Sequence, residues 1–180
     1  MVTTGHSSAL WSRAGLVLLG LVLISSCGYR FARGGTLPEG VQQVNVLPFV
    51  DRTAEGDLGA QVAASVRSRM REIDPRRVAG LGARGVARLV GSVERVNQST
   101  VPMGRGGYVV PGLYQLSIEA RARIESPTGR VLDDLGSFTE GIEYPVETGL
   151  ATAEESRRRA LVRASRALGS RIAEAALFRF

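Results

Sequence analysis

Lysine is absent from the 180 residues, and histidine and cysteine occur once each, as His6 and Cys27. All 23 basic residues are Arg, set against 17 acidic ones. These shortages exclude much of enzymology. With no lysine amine there is no Schiff base, the one imidazole lies at position 6 near the N-terminus, and a single Cys supplies neither a disulfide nor a thiolate metal site. Asp, Glu, Ser, Thr, Tyr and Arg remain, so neither an enzyme nor a cofactor is expected, and the lack of Lys is read as coding bias toward Arg. Long hydrophobic runs are also missing. The longest, Ala14 to Ile24, has 11 residues, whereas about 20 are needed to span a bilayer.

What that run does fit is an export signal. Met1 to Arg13 is polar with one fixed positive charge, the apolar run follows, and Ile24-Ser25-Ser26-Cys27 then places an aliphatic residue, two small residues and a thiol in a row. This tetrapeptide resembles the lipobox of bacterial lipoproteins: small residues let a membrane protease reach the backbone, and the Cys27 thiol receives diacylglycerol. Residues 1–26 are therefore expected to be a lipoprotein signal peptide and Cys27 the acylated first residue of the mature chain. Gly28 follows it, where an Asp would resemble an inner-membrane retention signal, so the expected location is the periplasmic side of the outer membrane. The mature chain has 154 residues, no His, and 22 Arg against 17 acids, hence a net charge near +5. That length suits one domain.

Residues 27–40 read as a Gly-rich, lipidated tether, and 41–180 as a single α/β domain. Val41 to Val50 is β-branched enough for a strand, with Pro48 at an edge or bulge. Leu58, Val62, Val66, Met70 and Ile73 recur at helical spacing, with Asp57 as the expected cap and Asp74-Pro75 as the stop. Val86 to Val96 is a second strand with Ala87, Leu89, Gly91 and Val93 on one face. Tyr114 to Glu125 alternates strictly: Tyr114, Leu116, Ile118, Ala120, Ala122 and Ile124 on one side, expected buried, and Gln115, Ser117, Glu119, Arg121, Arg123 and Glu125 on the other, expected wet. Ser126-Pro127-Thr128-Gly129 is a turn into a less regular strand with Val131, Leu132, Leu135 and Phe138. Thr152 to Glu155 reads as a capping box opening a helix to about Leu177, with Leu161, Leu168, Ile172 and Ala176 on its stripe and Arg157, Arg158, Arg159, Arg163 and Arg166 on a solvated side.

The order β-α-β-β-β-α predicts an α+β fold: a four-stranded mixed sheet with two helices packed on one face. A right-handed crossover makes the first two strands parallel. The other face, with Glu119, Arg121 and Arg123, is left for solvent or a partner.

Cys27-Gly28-Tyr29-Arg30-Phe31, Leu37-Pro38-Glu39-Gly40 leading into Val44-Asn45-Val46-Leu47-Pro48-Phe49, Asp51-Arg52-Thr53 and Leu89-Val90-Gly91-Ser92-Val93 follow one another in the order seen in the LptE family of lipopolysaccharide-assembly lipoproteins. Tyr114-Gln115-Leu116, Thr128-Gly129-Arg130-Val131-Leu132, Glu143-Tyr144-Pro145 and the long final helix also resemble family positions. The resemblance implies an outer-membrane lipoprotein that plugs, and helps to assemble, the LptD-like β-barrel translocon delivering lipopolysaccharide to the cell surface, and that binds lipopolysaccharide. One departure is the end at Phe180, without the polar extension some members carry. The residues leave a second class open: a periplasm-facing lipoprotein of similar α/β build, acting in a secretion channel or as a peptidoglycan-synthase activator.

Asn97 to Gly112 is expected to be a long loop with four Gly, two Pro and one Arg, whose basic and apolar tip suits a ligand with phosphates at one end and acyl chains at the other. The alternative is a β-ribbon tip seated against protein. The resemblance implies a lipopolysaccharide contact by a basic residue in this connection, and Arg105 is its only base, with Tyr108 and Val109 beside it. Other patterns carry less. Met103 to Gly107 has no third Gly of a dinucleotide fingerprint and no helix after it. The interspersed acids and the export signal argue against nucleic acid, and Asp133-Asp134 is a polar strand edge.

Overall fold

The computed structural model describes residues 37–80, 82–105, 108–145 and 147–178, with the backbone alone for 102–105 and 108–111. Cys27, the signal segment and residues 27–36 of the tether lie outside the described residues. The chain forms β1 (Val44–Val46), β2 (Val50–Asp51), α1 (Leu58–Ile73), a 3-10 turn (Pro75–Arg77), β3 (Ala87–Arg105), β4 (Tyr108–Glu125), β5 (Val131–Pro145) and α2 (Leu150–Leu177). The sheet order is β1-β3-β4-β5, with β2 also on β3. β1 and β2 run parallel to β3, and the other pairs are antiparallel. This is the expected α+β architecture, with its first strand split in two.

Pro48 is the reason for the split. It has no N–H for the ladder, so pairing lapses between Leu47, whose N–H donates to the Leu89 carbonyl at 3.0 Å, and Val50, where β2 resumes it and the Arg52 N–H then donates to the Val93 carbonyl at 3.0 Å. In the gap Phe49 turns inward, and its ring lies where Gly91 has no side chain: a Cβ there would stand 2.5 Å from it.

Of the stripe predicted for α1, Leu58, Val62, Val66 and Met70 are buried, at 1% exposure or less, while Ile73 at its end is half-buried; each fully buried side chain contributes about 1.5–3 kcal/mol. The cap is not the expected one. Asp57 has a left-handed backbone, φ 56°, and its side chain makes no cap bond. Instead Asp51, at the end of β2, accepts hydrogen bonds from the Leu58 and Gly59 amides at 2.9 and 3.3 Å, and from the Thr53 amide and hydroxyl at 2.9 and 2.7 Å. Burial works to raise the Asp51 pKa, but these bonds from Thr53, Gly59 and Leu58 outweigh it, and the carboxyl lies below its ordinary value. A depressed folded-state pKa stabilises the fold fully above the ordinary carboxylate range, and that contribution is lost as pH falls through the folded value. Asp51→Ala is expected to cost about 1–2 kcal/mol, the usual range for a lost cap. Urea melts at pH 7 and again below the carboxylate range should show the deficit shrinking in acid; an unchanged deficit would locate it elsewhere.

Strand β4 buries Leu116, Ile118, Ala120, Ala122 and Ile124 in the core that the helices share, as its alternation predicts. Glu125 departs from the wet face: it is 9% exposed, held between Arg88 at 3.4 Å and Arg123 at 2.7 Å. The turn forms as expected, closed by the Gly129 amide on the Ser126 carbonyl at 3.0 Å, with Gly129 at φ 92°. Helix α2 reaches Leu177 but starts at Leu150, so Thr152 is inside its first turn. The Thr152 hydroxyl donates to the Gly149 carbonyl at 2.8 Å and caps no amide, which overturns the capping box. Ala160, Ala164, Leu168, Ile172, Ala173 and Ala176 line its buried side. At Gly169, a Cβ would stand 2.5 Å from that of Ser65, so this glycine sets how closely α1 and α2 approach.

Candidate binding surfaces: the ribbon tip and the uncovered sheet face

The stretch expected to be a long loop is strand. β3 continues to Arg105 and β4 begins at Tyr108, leaving only Gly106-Gly107 between them, which lie outside the described residues. The two prolines that read as loop residues are cross-strand partners, Pro102 opposite Pro111, at a register shift next to Val101 where the ladder is already interrupted.

Arg105 and Tyr108 are partners on the last rung, while Val109 is opposite Gly104 on the rung before. The pairing of β5 with β4 stops at Leu113 opposite Pro145. Beyond that point the ribbon has two strands only, so the three predicted residues lie together at the far end of a projection.

The base of the ribbon is tied to the helices by a side chain that the helical pattern places on a solvated face. Arg157 on α2 makes a two-pronged ion pair with Glu55, one prong at 2.9 Å, and its Nε donates to the Gln98 side chain of β3 at 3.3 Å. The Glu55 hydrogen bonds hold the Arg157 pKa above its ordinary value. Beside it the rings of Tyr114 and Tyr144 are 5.5 Å apart between centroids, and burial pushes the Tyr144 phenol up. Arg158 and Arg159 do face solvent, with side chains 69% and 65% exposed. Sequence spacing alone could not separate Arg157 from its neighbours, because its partner is 102 residues away.

The sheet face away from the helices carries matched charge. Arg52 meets Glu94 at 3.1 Å and Arg95 meets Glu119 at 3.6 Å, and Ser92 also hydrogen-bonds Glu94. The Ser92 bond, with Arg52 and Arg121 nearby, holds Glu94 below the ordinary carboxylate range. A shallow depression of about 380 Å³ opens among Arg52, Ser92, Glu94, Arg121 and Arg123. Among the described residues no group of three His, Cys, Asp or Glu side chains is placed to hold a metal ion, and no helix is long and apolar enough to cross a membrane. Such a surface is equipped for recognition of polar and charged groups.

Among solved structures, the fold is similar to a candidate lipoprotein of Caulobacter crescentus CB15, at TM-score 0.50 and 15% identity, covering 72% of this chain and 88% of that one. It is similar to the same degree to a minor lipoprotein of Acinetobacter baumannii, at TM-score 0.50 and 12% identity, covering 76% and 91%. A rare lipoprotein B from Shewanella oneidensis is matched at TM-score 0.45 and 16% identity, over 73% and 92%. No curated protein matches the chain. The family model described as "LptE: Lipopolysaccharide-assembly" matches residues 41–175, from before β1 nearly to the end of α2. The chain thus belongs to the LptE family of lipopolysaccharide-assembly lipoproteins.

Proposed function

We propose that the mature domain sits as a single copy in the lumen of an LptD-like β-barrel, helps that barrel assemble, and binds lipopolysaccharide at the ribbon tip. In this reading residues 1–26 are removed, Cys27 carries the acyl chains that anchor the protein to the outer membrane, and residues 27–40 are the tether. The carrying observation is the ribbon itself, whose last two rungs gather Arg105, Tyr108 and Val109 beyond the end of β5. A guanidinium grips a phosphate through two parallel charge-assisted bonds, and an aromatic and an aliphatic residue next to it suit acyl chain. The charged, uncovered sheet face suits a wet barrel lumen better than a dry interface.

Affinity capture of the full chain from detergent-solubilised outer membranes is expected to recover a large β-barrel protein. Recovery of homo-oligomeric rings alone would favour the secretion-channel class. Titration with lipopolysaccharide is expected to show Arg105→Ala binding about ten-fold more weakly, since a hydrogen bond to a charged group contributes roughly 1.5–3 kcal/mol. Arg158→Ala, at an exposed helix position, should bind as wild type. Equal affinity for Arg105→Ala and wild type, with equal melting curves, would reduce the tip to a structural ribbon.

A further inference from the structure

A groove of about 620 Å³ lies between the end of β5 and the first half of α2. Its apolar lining comes from Tyr144, Pro145 and Val162, and Arg158, Arg159 and Arg163 stand around it. The helix period produces this arrangement, because positions 158, 159, 162 and 163 share one side of α2 while Ala160 and Ala164 face the core. Val162 is left 42% exposed although it is aliphatic. No further strand can fill the groove from the sheet side. The Glu143 and Thr139 carbonyls of β5 already accept from Arg163 at 3.4 Å and Arg171 at 2.8 Å, and an edge covered by a helix does not take another strand.

The guanidiniums around the groove are loosely held. Arg158 and Arg159 share a single carboxylate, Glu155, at 4.0 and 3.9 Å, the outer limit of an ion pair, and exposed pairs of this kind contribute little. Arg159 also donates to the Ser156 hydroxyl at 3.3 Å, which donates in turn to Glu147 at 3.4 Å. Arg157, the preceding residue, shows the contrast: Glu55 and Gln98 engage it fully. Most N–H donors of Arg158 and Arg159 are thus uncommitted beside apolar surface. A volume of this size, with a mainly apolar lining and a few convergent polar groups, is that of a small-molecule site. Charged residues are depleted at the core of protein interfaces, which makes a protein partner the poorer fit.

We propose that this groove binds a fatty acid, with its chain against Tyr144, Pro145 and Val162 and its carboxylate held by Arg158 and Arg159 in place of Glu155. A guanidinium matches a carboxylate through two parallel charge-assisted bonds. Lipopolysaccharide carries several chains on one sugar body and is too large for a groove that takes one. The site lies at the base of the ribbon, where β5 ends, and does not rest on the reading of the tip.

The test is an NMR titration of the full mature chain with Cys27→Ala, which keeps every described residue and needs no detergent. Octanoate and decanoate, each below micelle formation, are expected to shift the signals of Tyr144 and Val162. Decanoate should bind about four-fold more tightly than octanoate, two methylenes at roughly half the full-burial value in an open groove. Octanol, which has the chain without the charge, should bind about ten-fold more weakly than octanoate. These comparisons need no further variant to fold. Arg159→Gln should weaken decanoate about ten-fold, and Glu155→Gln, which removes the competing carboxylate, should tighten it roughly three-fold. Arg105→Ala should leave it unchanged. Equal affinity for octanoate and octanol, or no change in either charge variant, overturns the recognition of an anion, and the absence of shifts at Tyr144 and Val162 overturns the site. Displacement of decanoate by lipopolysaccharide in Arg105→Ala overturns the choice of ligand. Concentration-dependent shifts at Val162 without fatty acid overturn it in favour of a second copy.

Discussion

Gly59→Ala is expected to destabilise the domain by about 3 kcal/mol, at the upper end of what overpacking costs in a well-filled interior. Alanine is the better helix former by about 1 kcal/mol, and on an exposed helix the substitution would help. Here the first turn of α1 lies under the segment that Pro48 frees from the sheet. The Phe49 amide donates to the Gly59 carbonyl at 3.3 Å, and a Cβ on Gly59 would stand 2.1 Å from the Phe49 carbonyl oxygen. That oxygen is backbone and cannot rotate away, so either the helix start or the β1–β2 connection must move. Movement would also pull the Gly59 amide from Asp51, to which it donates at 3.3 Å. For a domain of this size the loss corresponds to a drop in melting temperature of about 10 °C. Gly80→Ala is the control, since a Cβ there meets nothing within 4 Å. If Gly59→Ala and Gly80→Ala melt together, the strand segment and the helix have room to part without cost.

Cys27→Ala, in a mature chain exported behind a cleavable signal that leads to no lipidation, is expected to move the protein from the membrane to the soluble periplasmic fraction. Each buried methylene contributes about 0.8 kcal/mol, and one chain gives only marginal binding while two suffice for stable anchoring. Three chains on Cys27 would hold without help. The Arg-rich domain can still be drawn to anionic lipid, but that attraction is screened within about 3 Å at 1 M salt, whereas acyl burial is not. Fractionation with a high-salt wash therefore separates the two: wild type should stay in the membrane and Cys27→Ala should wash out. Mass spectrometry of the N-terminal peptide should find the acyl chains on Cys27. A salt-resistant Cys27→Ala protein would mean that another element anchors the domain.

Residues whose role depends on near neighbours in the chain are legible in the amino-acid order. The period-two run from Leu116 to Ile124 and the period of Leu58, Val62, Val66 and Met70 name the buried faces, because the backbone alone decides which side chains share a side. The turn at Gly129 and the stop at Asp74-Pro75 are likewise local. At the positions that depart from expectation another contact outcompetes the expected one, reaching across from β2 in the case of Asp57 and from three residues back in the case of Thr152. Asp57 and Thr152 have the right side chains for caps. Asp51 reaches the α1 amides from β2, however, and the hydroxyl of Thr152 turns back to a carbonyl. Gly and Pro between Asn97 and Gly112 signal a loop when read singly, yet two prolines opposite each other at a register shift are compatible with a ribbon.

For the candidate site the division is the same. Cys27 and Arg105 stand out in the sequence because each is alone of its kind in its segment, and composition is enough to single them out. That Arg105 and Tyr108 share a rung depends on register, and register depends on the pairing of two strands along their whole length. That Arg157 binds Glu55 and Gln98 rather than water depends on α2 crossing the sheet at the ribbon base. The fold class and the buried faces follow from periodicity, and the expectation of an export signal follows from a short motif, so the order of amino acids suffices for all three. Which helix end is capped from afar, which arginine is a strut and which edge of the sheet is covered are settled only in the folded chain, because each is a meeting of segments far apart in sequence.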